Sequence, residues 1–363
     1  MQLYICVMLV AFTFLNTQQN KNVYRNYIEH FINEISSFQK EHQFLLIANH
    51  LFFSDVDWNK NITVIKLTKS LKILQNLSEK LQFKKIIKQQ QPEIIIHFSE
   101  YVNTNDKIPQ IVFLQEIPTK KEILQLAKAE KIIVNNHHFK NELLEKFHFR
   151  EEQIEVLYPQ PKKIFQPLDL NEVSAVKDGY ADGREYFLFV QNEENLEHFI
   201  TILKAFSEFK KWQKSSMKLL IVSRFNSLSK QEKEKLTTYK FKDDVVILEN
   251  LDEVKYSKII ATAYAVIYSS SKQNSLLLIF EILQSQTPLI INDFNSFKEI
   301  ANDAALYFEQ QSFISLSEKM QSVYKDENLR NSIISKAQEI ANKLQKTNPT
   351  EIFWQTIAKA TTD

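Results

Sequence analysis

Short apolar runs recur along this chain, and nearly every one is followed by an amphipathic stretch long enough to be a helix. In the first half the runs are Phe44-Leu45-Leu46-Ile47-Ala48, Glu93-Ile94-Ile95-Ile96, Ile111-Val112-Phe113-Leu114 and Lys131-Ile132-Ile133-Val134, and the amphipathic stretches are 22–40, 69–90, 119–129 and 137–147. A second series begins at Tyr186-Phe187-Leu188-Phe189-Val190 and continues with runs at 218–222, 244–248, 264–268 and 288–292. Strands that are apolar on both faces and alternate with helices form parallel sheets covered on both sides. The chain is therefore read as α/β, with two doubly wound Rossmann-like domains. Its 363 residues agree with that count at roughly 150 residues per domain.

Between the two series the pattern lapses. Pro159, Pro161 and Pro167 fall there, followed by Gly179 and Gly183, and the segment 159–184 reads as an interdomain linker. The expected organisation is a first domain over 1–165, a linker over 166–184, a second domain over 185–345 and a final helix over 346–363. That helix, carrying Phe353 and Trp354, is expected to pack back on the first domain. Ligands of such sheets sit at the carboxyl ends of the strands, here expected in the cleft the two domains face.

Composition narrows the chemistry. The 2 glycines of the whole chain are those two, where ordinary usage of ~7% would supply about 25. A Walker loop or a dinucleotide fingerprint, which cradles phosphate on bare backbone, is thereby excluded. A net charge of +1 argues against a nucleic-acid binder, and the single cysteine, Cys6, builds neither a disulfide nor a thiolate metal site. No interior run reaches the ~18 apolar residues of a membrane span. The apolar start, Leu3 to Phe12, has no basic residue before Lys21 and reads as a buried first strand rather than a signal peptide.

Several runs carry a resemblance to a known family. Glu185-Tyr186-Phe187-Leu188-Phe189-Val190, followed by Leu203-Lys204-Ala205-Phe206, is similar to its "E-Y-F-L-Y-V-G … L-K-A-F". Thr287-Pro288-Leu289-Ile290 matches "T-P-V-I", and Glu299-Ile300-Ala301-Asn302-Asp303-Ala304-Ala305-Leu306 matches "E-I-A-G-D-A-A-L". In the first half, Lys107 to Val112 is similar to the strand that carries the family's His-Asp, and Ile132 to Leu143 to its "V-S-x-F-S-K-x-E-L" element. The chain thus resembles the GT-B glycosyltransferases of the retaining family-four type, glycosyl transferases group 1. The resemblance implies an acceptor-side domain over 1–165 and a nucleotide-sugar-binding domain over 185–345.

What the resemblance implies for the site falls on named positions. Gln273-Asn274-Ser275-Leu276-Leu277-Leu278-Ile279-Phe280-Glu281 stands where the family has two glutamates around a Gly-aromatic-Gly turn. Glu281 takes the ribose position. Gln273 replaces the glutamate nearest the reacting carbon, a neutral isostere that hydrogen-bonds but cannot stabilise developing positive charge. Asn274 and Leu276 replace the glycines, and a leucine there is expected to narrow the approach to a diphosphate. Ser275 completes the donor-binding turn. Leu196 and Glu197 stand at the family's Arg-Lys pair, Gln191 at the glycine of that loop, and Arg224 is the cation nearest in sequence that could substitute. Gln115-Glu116 matches the His-Asp, so Gln115 is carried as a catalytic position with Gln273, and domain closure would bring the two together.

An active member would move a hexose from a nucleotide diphosphate sugar to a glycan or lipid-linked acceptor in polysaccharide biosynthesis, with no metal and no cofactor. The alternative is a catalytically degenerate homologue that binds or assembles with an active partner transferase. The expected location is cytoplasmic, peripheral to the inner membrane. Lys84, Lys85 and Lys88 form a basic helix face whose plain reading is solvation and whose alternative is contact with anionic lipid. Asp55-Val56-Asp57 is read as a solvated turn rather than a metal site, and His137-His138 as a helix start capped by Asn136.

Overall fold

The computed structural model describes residues 7–14, 22–49, 56–68, 75–99, 107–191, 195–223, 227–271 and 276–362. The chain divides into two compact units, one of Met1–Tyr158 with Asn348–Asp363, the other Pro159–Thr347.

The first unit holds a seven-stranded parallel sheet of β1 (Leu9–Phe14), β2 (Gln43–Asn49), β3 (Ile62–Leu67), β4 (Ile94–His97), β5 (Gln110–Phe113), β6 (Lys131–Val134) and β7 (Ile154–Val156). The order is β3-β2-β1-β4-β5-β6-β7, so the winding reverses between β1 and β4. Helices α1 (Asn22–Phe38), α2 (Gln75–Gln90), α3 (Lys120–Leu126) and α4 (His137–Phe147) make the connections. The period of two in the strands divides the core. Val10, Phe12 and Phe14 of β1 face Ile28, Phe31 and Ile35 of α1, together with Phe353, Ile357 and Ala360 of the C-terminal helix (Pro349–Thr362). Ala11 faces the other way, onto Phe83 and Ile87 of α2. Farther along that second face, Val112 and Leu114 meet Leu126 of α3 and Phe139 and Leu143 of α4.

Local chemistry sets the ends of these elements. Asn136 caps α4, its side chain accepting from the Phe139 N–H at 2.7 Å, and His148 ends the helix in the left-handed region. Residues 3–6 of the apolar start lie outside the described residues, and the strand there is β1.

The second unit holds six parallel strands: β8 (Tyr186–Gln191), β9 (Lys218–Ser223), β10 (Val245–Leu248), β11 (Ala265–Tyr268), β12 (Leu289–Asn292) and β13 (Ala305–Phe308). Their order is β10-β9-β8-β11-β12-β13, reversing between β8 and β11. The helices are α5 (Leu170–Ala181), α6 (Leu196–Trp212), α7 (Lys230–Thr237), α8 (Glu253–Thr262), α9 (Leu277–Gln284), α10 (Asn295–Ala301), α11 (Phe313–Lys325) and α12 (Glu327–Gln345). Both units are therefore doubly wound and Rossmann-like, as the alternation of runs leads one to expect.

The linker reading is corrected over 170–181. That stretch is α5, capped by Asp169, whose side chain accepts from the Glu172 N–H at 2.9 Å, with Val176 and Ala181 buried. The three prolines lie ahead of the cap, where they do not interrupt a helix, and Gly179 sits exposed inside it. The strands that the apolar runs do not announce are β3, β7 and β13. Each is a sheet edge with one hydrogen-bonded neighbour, where polar residues such as Thr63 and Lys66 are tolerated.

Glycine scarcity shows in the backbone. Gln91, His148, Asp182, Asn250, Gln286, Asn302 and Gln311 all have positive φ, whereas Gly183 is the one glycine that does, among the described residues. Asn302 is the extreme case, at φ 38° and ψ −120°, a conformation that a Cβ opposes. It stands where the resembled motif has glycine, so the backbone keeps glycine's conformation without glycine. Asn302→Gly should raise the unfolding free energy by about 1 kcal/mol in urea titration. Gly179→Ala, in a helix interior with nothing within 4 Å of the added methyl, should raise it by roughly 0.5–1 kcal/mol. No gain from the first would show that the Asn302 backbone is unstrained.

Candidate functional site

In the second unit the carboxyl ends of β8 and β11 flank the point where the winding reverses, and the residues named from the motifs divide around it. Gln191 ends β8 and is buried. Its Nε2–H donates to Glu232 Oε1 at 2.6 Å, and Glu232, also buried, accepts the Ser229 N–H on its other oxygen at 2.8 Å. The side chain at the loop's glycine position thus ties the end of β8 to the first turn of α7. Glu281 lies in the second turn of α9, 2% exposed, on the helix that follows β11. Since β8 and β11 are hydrogen-bonded neighbours, Gln191 and Glu281 belong to one end of one sheet.

Leu276 begins that helix with φ −92° and a buried side chain. It packs into the core in an ordinary backbone conformation, so the expected clash with left-handed φ does not arise at this position. Gln273, Asn274, Ser275 and Arg224 lie outside the described residues, as does Asp55. Gln115 belongs to the first unit, half-buried just beyond β5. Glu197 is exposed in the first turn of α6, where Asn195 Oδ1 accepts the Glu197 and His198 N–H groups at 3.1 and 3.3 Å. A carboxylate is favourable beside the positive end of a helix dipole, and it lowers the attraction of that end for an anion.

Two polar residues tied to these strand ends have long-range partners that the sequence does not disclose. Asn292, fully buried at the end of β12, accepts the Ser270 N–H on Oδ1 at 2.7 Å and so fixes the chain just beyond β11. Glu232 is legible only as the last residue of a Ser-x-x-Glu capping box, not as a partner of Gln191. Ser99 Oγ beyond β4, Gln191 Oε1 at the end of β8 and Asn292 Nδ2 at the end of β12 are buried without a hydrogen-bond partner among the described residues. At the amino ends of the second sheet the buried cations are paired, Lys210 with Asp244 at 2.9 Å and Lys218 with Asp182. Those three unsatisfied atoms sit at the carboxyl ends of strands, where ligands bind in doubly wound folds; other such atoms, Thr262 Oγ1 and Arg330 Nε, lie on α8 and α12.

The first unit has its own buried polar network at its reversal point. His97 ends β4, fully buried, with Nδ1 2.7 Å from Thr13 Oγ1 of β1 and Nε2 2.9 Å from Gln110 Oε1 of β5. The amide oxygen only accepts, so Nε2 carries the proton and Thr13 donates to Nδ1. Burial pushes the imidazole down to about 4, the Gln110 hydrogen bond offsetting part of that shift. Its pKa in the fold lies below its free value. Between about pH 6.5 and 4 the unfolded chain therefore holds a proton that the folded chain does not. Stability contributed by neutral His97 is complete above that window and is lost as the pH falls through it, by up to roughly 3 kcal/mol. In an NMR titration the His97 ring resonance should stay unshifted down to about pH 4; titration near 6.5 would mean the ring is solvated.

Residues 172–340 match the family model of Glycosyl transferases group 1. The O-antigen chain mannosyltransferase RfbU of Salmonella typhimurium is 24% identical over 127 residues, covering 33% of this chain and 36% of that protein. This chain thus spans about a third of that curated relative. Among solved structures, WaaG, a glycosyltransferase involved in lipopolysaccharide biosynthesis, superposes with a TM-score of 0.71 at 12% identity, over 92% of this chain and 95% of that one. Anabaena Alr3699/HepE in complex with UDP and glucose gives 0.72 at 12% identity, over 97% and 99%. The second unit therefore carries a glycosyl transferases group 1 match, and the two Rossmann-like units share the fold of the GT-B glycosyltransferases.

Proposed function

We propose that this chain is a glycan-building transferase of the retaining GT-B type, moving a hexose from a nucleotide diphosphate sugar to a glycan or lipid-linked acceptor. The observation that carries this reading is Glu281, a buried carboxylate on the helix after the reversal-point strand, within the matched segment. A carboxylate held there can accept a hydrogen bond from a ribose hydroxyl. In the same reading Gln273 hydrogen-bonds the transferred sugar and Asn274 and Ser275 belong to the donor turn, while Gln115 remains a catalytic candidate of the first unit. The departing diphosphate needs positive charge, and no Lys or Arg occurs from Gln191 to Leu203. That load therefore falls on the backbone amides of α6 and on Arg224.

A second reading is favoured by the Gln191–Glu232 tie, which sets a buried carboxylate beside the place a diphosphate would occupy. Like charges at close range in a desolvated site disfavour binding. On that reading the chain is a degenerate homologue that binds or assembles with an active transferase.

Calorimetric titration with UDP, GDP and their sugar conjugates separates the two. The transferase reading expects micromolar binding that weakens about 10–100-fold in Glu281→Ala, the loss of hydrogen bonds to a charged acceptor. A folded sample that binds none of them would sink it and leave the scaffold reading.

A further inference from the structure

The amino ends of the second sheet carry an aromatic cluster whose polar edges are unspent. Trp212 closes α6, Tyr324 lies in the last turn of α11, Tyr264 precedes β11 and Arg330 lies at the start of α12. The rings meet in series. Trp212 and Tyr324 have centroids 6.2 Å apart at 86°, and Tyr324 and Tyr264 5.9 Å apart at 49°. Phe209 of α6, fully buried, supports the first pair from below, 6.0 Å from Trp212 and 5.3 Å from Tyr324. The Arg330 guanidinium lies 4.5 Å over the Tyr264 ring. Trp212 is nevertheless 44% exposed, and Tyr324, Tyr264 and Arg330 are half-buried.

Half-buried Tyr, Trp and Arg ordinarily spend their donors on neighbours. Here the Trp212 N–H and the Tyr324 hydroxyl have no hydrogen-bond partner among the described residues. The Arg330 side chain makes neither a hydrogen bond nor an ion pair there, although its Nε is buried. Charge of both signs surrounds the rings. Burial raises the pKa of the Tyr264 hydroxyl, Arg330 opposes that shift, and Glu327 and Glu185 add to it.

We propose that this face is a glycan-binding platform, separate from the transferase site, that holds uncharged sugar units of a polysaccharide. The C–H face of a pyranose is flat and apolar and packs on an aromatic ring, while its rim of hydroxyls needs donors and acceptors at the ring's edge. Trp212 and Tyr324 supply rings with free edge donors, Arg330 a fork of N–H groups and Glu327 an acceptor. The mixture of charges selects against a strongly anionic or cationic ligand. A protein partner needs a far larger apolar area than one indole and two half-buried phenols. Gln191 and Glu281 belong to the carboxyl end of the same sheet, so the platform does not compete with them. The inference goes beyond the proposed activity, because an active transferase and a degenerate homologue alike could hold a glycan in this way.

Electrophoresis of the full chain in native gels containing dextran or mannan tests it. One or both polymers should retard the protein relative to a reference protein, and to the same extent with UDP present. Trp212→Ala and Arg330→Gln should each weaken binding by about tenfold, the loss of one stacking or one charge-assisted contact, and Trp212→Phe should keep most of it. Arg330→Gln leaves the ring cluster intact and keeps the test decisive if Trp212→Ala does not fold. No retardation by either polymer, equal retardation of wild type and both weakened variants, or retardation by acidic alginate alone would overturn the proposal. So would loss of binding in Glu281→Ala, which would put the glycan at the other end of the sheet. A dimer in sedimentation equilibrium that Trp212→Ala makes monomeric would assign the face to a second copy instead.

Discussion

A parallel sheet can be built only if each crossover helix stops and the chain turns back to start the next strand alongside. That return normally passes through a left-handed residue, and glycine is the residue that enters this region without steric cost. Here α2, α4, α5, α9 and α10 are each followed by such a turn, at Gln91, His148, Asp182, Gln286 and Asn302, and none of these is glycine. Each opposes its Cβ against the neighbouring carbonyl, at roughly 1–2 kcal/mol. The topology persists because the sheets it produces bury so much. In the first unit Phe98, Phe113, Phe31 and Phe353 form a chain of rings with centroids 4.7 to 6.2 Å apart, joining strand ends to α1 and to the C-terminal helix. Each such pair adds about 0.5–1.5 kcal/mol beyond its buried area.

The same winding decides where chemistry can occur. Reversal of strand order at β8 and β11 leaves the ends of those strands diverging, with the starts of α6 and α9 beside them. Glu281 and Gln191 are brought to that end by topology. What this sequence has done with the place is particular. Where the resembled loop leaves room with glycine, Gln191 reaches across to a buried glutamate and converts an open strand end into a hydrogen-bonded tie. Asn292 makes a second tie, from β12 to the chain after β11. The strand ends are held rigidly by uncharged amides, with an acceptor and a donor left over, Gln191 Oε1 and Asn292 Nδ2. Such a lining suits hydroxyl groups better than phosphates.

The division between what the sequence discloses and what it conceals follows from range. Interior strands are apolar on both faces, so runs such as 186–190 or 289–291 announce themselves in a few residues. Of the edge strands, β3 and β7 are broken by polar residues such as Thr63, Lys66 and Glu155, and β13 is a run of only four residues, half of them partly exposed. α5 was concealed because prolines and glycines read as a linker, although Asp169 three residues before Glu172 is an N-cap signal in plain view. The site is harder. Glu281 and Gln191 are nameable because a resemblance fixes their positions. Gln191 meets Glu232 across 41 residues, Asn292 meets Ser270 across 22, and Thr13 meets His97 across 84. No local pattern records such meetings, since only the register of the sheet brings them about.

Net charge is concealed in the same way, and its lesson runs opposite to that of the glycines. A balance of +1 argues against an electrostatic partner only if the charges are mixed over the surface. In the second unit they are mixed, with lysines paired to carboxylates at Glu253, Glu185, Asp244 and Asp182. On α2 and α3 they are not. The residues that would have made α2 plainly amphipathic, Leu77 and Leu81, point outward beside the unpaired lysines. A helix with apolar residues on both sides has little one-sided character in its sequence, so pattern reading sees only a weakly ordered basic segment. The packing of Phe83 and Ile87 against the sheet shows which apolar side the fold itself uses. The other side is left exposed, which is why the segment reads in sequence as basic and only weakly amphipathic.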